Sequence, residues 1–384
     1  MTLSEILSNE ELRRHEFPVV CDKVFLAHAG VCPLPRRVSE AIAQYAQRAS
    51  ASDQEVPYIA AALEAGRRLG ASLLSAKPEE IALVGPTSLG LSLVASSIRW
   101  RRGQNIIAYM DDYPSNVYPW TALAGRGVQV RLVRPRQLGV ISPVDVMEQI
   151  DEETKLVALA SCHFLAGARL DIDAIGSYLH ERGIMFCVDG IQTLGAFPTT
   201  VENVDFLAAD SHKWLLGPCA AGILFVRGEL QEKLHPPLVG WNNVRAPNFV
   251  AQEQLVYRSG PHRFEIGSHN LLGIVGLNAA LELIMEIGVE NIAAELLRKR
   301  AWLVPALQSR GWEVLAGSAP TSAASSIVSV SHPAKADLPA LHQELEQAGI
   351  YTSLRVDRGG RRYLRISPHF YNTDAELHRL LDRL

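Results

Sequence analysis

Two short apolar runs, each breaking off into a polar cluster, constrain this chain more than any other feature. Ile184-Met185-Phe186-Cys187-Val188 ends at Asp189-Gly190-Ile191-Gln192. Phe206-Leu207-Ala208-Ala209 ends at Asp210-Ser211-His212-Lys213-Trp214. Apolar runs this short, bounded by turn signals, read as strands buried on both faces. Stretches of helical periodicity lie between such runs, and strands alternating with helices imply βαβ units and a mainly parallel sheet. Open α/β sheets bind ligands just beyond the carboxyl ends of their strands. Asp189, Gln192 and Lys213 are therefore expected together at one sheet edge.

The same alternation runs along the chain. Residues 24–30 read as a short strand ending in a turn, and 36–75 carry helical periodicity through Val38, Ile42, Tyr45, Leu63, Leu69 and Leu73. Residues 81–84, 105–109, 128–133 and 156–160 read as further strands. Helices are predicted over 143–150, 171–182, 271–287 and 290–310. Past these, strands over 326–330 and 363–367 with helices over 338–347 and 374–384 suggest a small α+β unit. The expected division is an N-terminal segment, 1–20, a large domain, 21–270, and a linking helix with a small C-terminal domain, 271–384. The first segment reads as an amphipathic helix that docks elsewhere, a second subunit being one candidate.

Composition excludes several classes. Thirty-seven bases against 41 acids give a net charge of −4, so neither nucleic acid nor an anionic membrane is an expected partner. The apolar runs are far short of a bilayer span, and residues 1–17 hold acids without the continuous apolar core of a secretory signal. Five cysteines without ligand spacing suggest no metal, and an odd number fits a reducing cytoplasm. No strand is followed by a G-x-G-x-x-G turn, which argues against a dehydrogenase.

The chemistry follows from the residue types. A desolvated or cation-flanked lysine has a neutral amine and forms a Schiff base with an aldehyde. Pyridoxal phosphate is the aldehyde cofactor that uses such a lysine. It serves as an electron sink when a carboxylate keeps its pyridine nitrogen protonated. Lys213 is the candidate Schiff-base lysine and Asp189 the carboxylate. Gln192 suits the ring oxygen, and Ser211 and His212 suit the phosphate. Upstream, Gly85-Pro86-Thr87-Ser88 opens a helix, where free N–H groups, hydroxyls and the positive dipole end favour a phosphate.

The segments VDGIQTLGAFP and AADSHKWLLGPCAAGILFVR, with GPTSLG, DDYPSNVYPW, RFEIGSHN and RISPHFYNT, resemble the class V aminotransferase family of fold-type I pyridoxal-phosphate enzymes. That family includes cysteine desulfurases, isopenicillin N epimerase-like proteins, C–S lyases and kynureninases. The resemblance runs from about residue 25 to the C-terminus. It implies a fold-type I α/β architecture: a mainly parallel seven-stranded sheet, with residues 222–226 added antiparallel, and a small C-terminal α+β domain. It also implies Thr87 and Ser88 on the phosphate, Tyr113 stacked on the cofactor ring where desulfurases have a histidine, and His163 against the ring oxygen. Ser268 would reach the partner subunit's phosphate in a homodimer with active sites at the interface. Arg365 would grip the substrate's α-carboxylate, which a guanidinium does bidentately, with Arg355 nearby and His28 facing substrate.

Two departures from desulfurases stand out. Their nucleophilic cysteine lies on a loop that here reads Val356-Asp357-Arg358-Gly359-Gly360-Arg361-Arg362, without a thiol. Their serine three residues before the lysine is Asp210 here. An acid beside a phosphate is repulsive, so Asp210 is expected to turn away. Arg358, Arg361 and Arg362 are either solvated or read a second acid on the substrate. The expected function is a cytoplasmic homodimeric pyridoxal-phosphate enzyme acting at Cα of a small-molecule α-amino acid, with Lys213 as the base. β-Elimination from a cysteine-type substrate, without persulfide chemistry, leads. Transamination is the alternative, then epimerisation, and a non-catalytic binding protein comes last.

Overall fold

A computed structural model describes residues 1–56, 58–332 and 337–384. Its strands are β1 (Val24–Phe25), β2 (Ile81–Val84), β3 (Asn105–Ala108), β4 (Gln129–Leu132), β5 (Thr154–Ala160), β6 (Met185–Asp189), β7 (Phe206–Asp210), β8 (Gly222–Val226), β9 (Glu313–Val314), β10 (Val328–Ser331), β11 (Ile350–Tyr351), β12 (Ser353–Val356) and β13 (Arg362–Ile366).

The main sheet has seven strands in the order β2-β8-β7-β6-β5-β3-β4. Only β8 runs against its neighbours; the remaining pairings are parallel. Since β2 and β7 both oppose β8, six strands point the same way and their carboxyl ends share one edge. Every residue of β3, β7 and β8 is buried, as expected of strands covered on both faces. Side chains alternate between the two layers. Ile81, Leu83 and Ile107 pack with helices Tyr58–Leu74, Ile172–His180 and Leu271–Ile287. Ala82, Ile106 and Ala108 pack with helix Thr87–Ser97 and Trp120. The fold is therefore α/β, with the mainly parallel seven-stranded sheet and single reversed strand that the resemblance implies.

The helical stretch expected over 36–75 is two helices, Arg36–Ala49 and Tyr58–Leu74. Asp53 Oδ1 accepts the N–H groups of Glu55 and Val56, a local turn that competes with helix.

The C-terminal sheet is antiparallel, order β12-β13-β10-β9. β1 pairs in parallel with β11, and Ala27 bridges Ser367, so the start of the chain is tied to its end. The N-terminal segment forms two helices, Leu3–Ser8 and Glu10–Glu16, and its Ile6 and Phe17 share a core with Leu283, Ile284, Ile287, Phe370 and Tyr371 of this chain. Phe17 stacks on Tyr371 with ring centroids 4.0 Å apart. Buried Arg13 meets Glu376 at 2.8 Å, and a buried cation requires such a partner. Among the described residues no single helix is long and apolar enough to cross a membrane.

Candidate active site

The shared strand edge opens into a cleft of about 270 Å³. The segments following β2, β3, β5, β6 and β7 supply Thr87, Ser88, Tyr113, Ser115, Phe164, Asp189, Gln192, His212 and Lys213. Ala29, Gly30 and Val31 close one side, and the C-terminal sheet adds Arg355 and Arg365.

Asp189 is the last residue of β6 and only 2% exposed. Burial pushes its carboxyl up to about 6, against the Ile191 N–H that it accepts at 3.0 Å and the nearby Lys213. Lys213 lies three residues beyond β7 and is 7% exposed. Burial pulls its amine down to about 8; Asp189 opposes that shift, while Arg365 and Arg355 add to it. Lys213 Nζ stands 5.3 Å from the centroid of the Tyr113 ring, which is 46% exposed and borders the cleft.

An anion-binding corner forms where helix Thr87–Ser97 begins. Pro86 takes the cap position and no side chain caps the helix. Leu89 and Gly90 N–H bond back to Pro86 O, so the first two amides, of Thr87 and Ser88, face outward. Ser88 and Ser115 hydroxyls meet at 2.7 Å beside them. His212 joins this corner. Asp210 Oδ2 takes its Nδ1 at 2.8 Å, leaving Nε2 on the cleft side. Asp210 itself is turned into the chain. Its two oxygens accept the N–H groups of Ser211, Ala220 and Ala221, and its own N–H donates to Thr87 Oγ1 at 2.9 Å.

The guanidinium groups form the opposite wall. Arg365 is 1% exposed, and its Nη1 donates to Phe164 O at 2.8 Å. Nε and Nη2 are buried without partners. Burial pulls this guanidinium down to about 9, and Arg355 adds to that pull. Gly30 borders both: a Cβ there would lie at ordinary contact distance, 3.6 Å from Arg365 Nη2 and 3.7 Å from Arg355 Nη2. Two convergent guanidinium groups with unused donors have the geometry to receive a carboxylate.

Several expected residues are not brought to the cleft. His28 is buried behind it, with Nε2 on Tyr371 Oη at 2.6 Å and Nδ1 on Ser367 O at 3.0 Å; its neighbours Ala29 and Gly30 line the cleft instead. Ser211 is fully buried and donates to Pro218 O at 2.7 Å, which leaves it nothing for a phosphate. His163 points away, with Nε2 on Asp111 O at 2.9 Å and Nδ1 accepting from Ala166 N–H; the next residue, Phe164, faces the cleft. Ser268 lies in a separate depression with Gly85, Ala220 and Gly267. Arg358 bonds Asp111 and Met110 O, and Arg361 bonds Glu313 and Ser331 Oγ, so neither lines the cleft; nor does Arg362, which is exposed.

Sequence reasoning missed Phe164, Ser115 and Gly30 as positions that line the cleft. No periodicity marks such loop positions, since a single-residue shift in register turns a side chain from one side of the backbone to the other. A larger depression of about 620 Å³ lies between Val140 and Ala323, but its one cation, Arg169, is committed to the carbonyls of Thr321, Ser322 and Ala324.

Comparison with known proteins identifies the family. The family described as Aminotransferase class-V matches residues 24–380. A probable cysteine desulfurase of Methanothermobacter thermautotrophicus is 30% identical over 294 residues, covering 74% of this chain and 72% of that one. Among solved structures, a cysteine desulfurase of Thermococcus onnurineus superposes with a TM-score of 0.89 at 24% identity, over 97% of this chain and 96% of that one. A cystine C–S lyase, solved with its product cysteine persulfide, gives 0.87 at 23% identity, over 96% and 98%. At these identities the two structures share the fold.

Proposed function

The chain belongs to the class V aminotransferase family, and from that premise we propose a pyridoxal 5′-phosphate enzyme that eliminates the β-substituent of a cysteine-type amino acid. The cleft fits the cofactor. It offers a buried lysine with a lowered amine, a buried carboxylate opposite it, and an open helix N-terminus beside His212. When bound, the cofactor supplies an aldehyde for Lys213 and an acceptor for the electrons of the bond broken at Cα.

This chain's residues do the rest. With the cofactor bound, Asp189 would hold a proton on its pyridine nitrogen, and the Thr87 and Ser88 amides, with Ser88 Oγ and His212, would take its phosphate. Tyr113 would cover its ring. Arg365, with Arg355, would grip the α-carboxylate and so orient the Cα–H bond toward Lys213. Lys213 would remove that proton, and the thiol would leave from Cβ. With one water consumed, the products are the thiol, pyruvate and ammonium.

One observation carries the choice of elimination over persulfide transfer: among the described residues no cysteine lines the cleft. The turn between β12 and β13 presents Arg358 and glycines, and the buried Cys162 thiol is pushed up to about 11. Incubation of the holoenzyme with cysteine S-conjugates tests the reading. Pyruvate and ammonium in equal amounts, with free thiol, support it. Pyridoxamine phosphate with the intact keto acid would make the enzyme an aminotransferase. Arg365→Lys is expected to raise KM roughly 10–100-fold, because a point charge cannot replace a two-pronged contact; steady-state kinetics on the variant measure this.

The working unit proposed is a homodimer. Ser268 stands outside its own cleft, and the loop around it exposes Leu238, Trp241, Phe249, Val250 and Leu255. Apolar side chains clustered at one surface mark an interaction site. Sedimentation equilibrium should give twice the chain mass, and a monomer at micromolar concentration would rule this assembly out.

A further inference from the structure

Trp214 follows Lys213 and is 1% exposed. Its indole Nε1 donates to Gln192 Oε1 at 2.8 Å. An indole nitrogen only donates, so this bond identifies which end of the Gln192 amide is oxygen. Nε2 therefore points the other way, where Ala29 O accepts at 3.2 Å. Nε2 carries a second hydrogen, and Gln192 borders the cleft. Trp214 is held from behind as well. His369 Nε2 donates to Trp214 O at 3.1 Å, while His369 Nδ1 accepts the Phe370 N–H at 2.8 Å. The ring of His369 stands 5.4 Å from the indole.

We propose that Trp214 is a positioning residue that locks the Gln192 amide so that the cleft meets an N–H donor there and never a carbonyl oxygen. Such a donor suits an oxygen acceptor on the bound ligand. The proposal rests on the cofactor reading above, in which that acceptor is the ring oxygen of pyridoxal phosphate. Without the indole, only the longer 3.2 Å bond from Nε2 to Ala29 O opposes a half-turn of the amide, which would present its oxygen to that acceptor, a repulsive contact.

The test compares two ligands on the apo-protein by equilibrium dialysis: pyridoxal 5′-phosphate and its 3-deoxy analogue, which lacks the ring oxygen. Trp214→Phe and Gln192→Leu should each weaken the cofactor about tenfold. Both should leave the analogue within about twofold, and the double variant should bind no worse than Gln192→Leu. A benzothienyl-alanine introduced at position 214 keeps the indole's shape without its N–H, and should behave as Trp214→Phe does. Equal loss of both ligands would mean packing alone and overturn the proposal. So would unchanged cofactor affinity in the shape-preserving variant. Wild-type protein that binds neither ligand would instead sink the cofactor reading, and the proposal with it.

Discussion

Lys213→Ala is expected to lower kcat by roughly 10³–10⁴-fold, the largest effect of any single substitution in this chain. Two roles are lost together, the covalent hold on the aldehyde and the base at Cα. Neighbouring side chains cannot replace either. His212 is tied to Asp210, and the guanidinium groups of Arg355 and Arg365 stay protonated at neutral pH and so cannot take a proton from Cα. Added small amines should restore a fraction of the rate, since they supply a base without a tether. A variant retaining a tenth of the wild-type rate would remove Lys213 from the chemistry.

The same residue sets a pH dependence. Its amine sits at about 8 where 10.5 is usual, with burial the main cause. Capture of an aldehyde by the apo-protein should therefore rise with pH and level off above about 8. Between about 8 and 10.5 the unfolded chain keeps the lysine proton and the folded chain has lost it. Stability of the apo-protein then gains with rising pH across that window. Lys213→Ala should reduce that gain by the lysine's share, read as the difference between wild-type and variant thermal scans at matched pH values.

Asp189→Asn is the second large effect, a fall in kcat of roughly 10²–10³-fold with the cofactor still bound. Asparagine keeps the shape and can still accept the Ile191 N–H, so the fold is preserved. It carries no negative charge, so the pyridine nitrogen loses the partner that holds its proton. Single-turnover kinetics with substrate should show the loss in the proton-abstraction step, not in binding. Activity within threefold of wild type would assign Asp189 to packing alone. The apo-protein offers a second readout. The Asp189 carboxyl is held at about 6 in place of 3.8, so the folded chain binds a proton that the unfolded chain has shed. That proton stabilises the fold at low pH, and the contribution is lost as pH rises from about 4 to 6. In Asp189→Asn this one contribution should vanish, read as the difference between the wild-type and variant profiles over that window.

Much of the site was legible because strand ends are legible. β6 and β7 are short apolar runs that stop at polar residues, and a parallel sheet puts all such stops on one edge. That logic led to Asp189, Gln192, Lys213 and His212, and the Gly-Pro-Thr-Ser turn led to Thr87 and Ser88. The seven-stranded sheet and its single reversed strand were anticipated through the family resemblance; periodicity alone does not reveal the reversal.

Loop side chains were not legible in this way. Ser211 and His163 sit beside residues that do face the cleft, but their hydrogen bonds to Pro218 O and Asp111 O turn them inward. His28 looked exposed in a turn; the Ala27–Ser367 bridge draws it beneath the C-terminal segment, where Tyr371 and Ser367 satisfy both of its nitrogens. Each of these outcomes depends on a partner at least seven positions away and in most cases far more, so no local pattern encodes it.

By itself, then, the amino-acid sequence determined the layered α/β arrangement and the reactive pair Asp189 and Lys213, because periodicity and strand termini are local properties. Only the tertiary structure decided the electrostatics. It buried Lys213 between Asp189 and two arginines, turned Asp210 from a threat to an anion into the anchor of His212, and brought β12 and β13 across to complete the cleft. The physical reason is that desolvation and convergent charge arise from residues distant in sequence, and these meet only when the chain has folded.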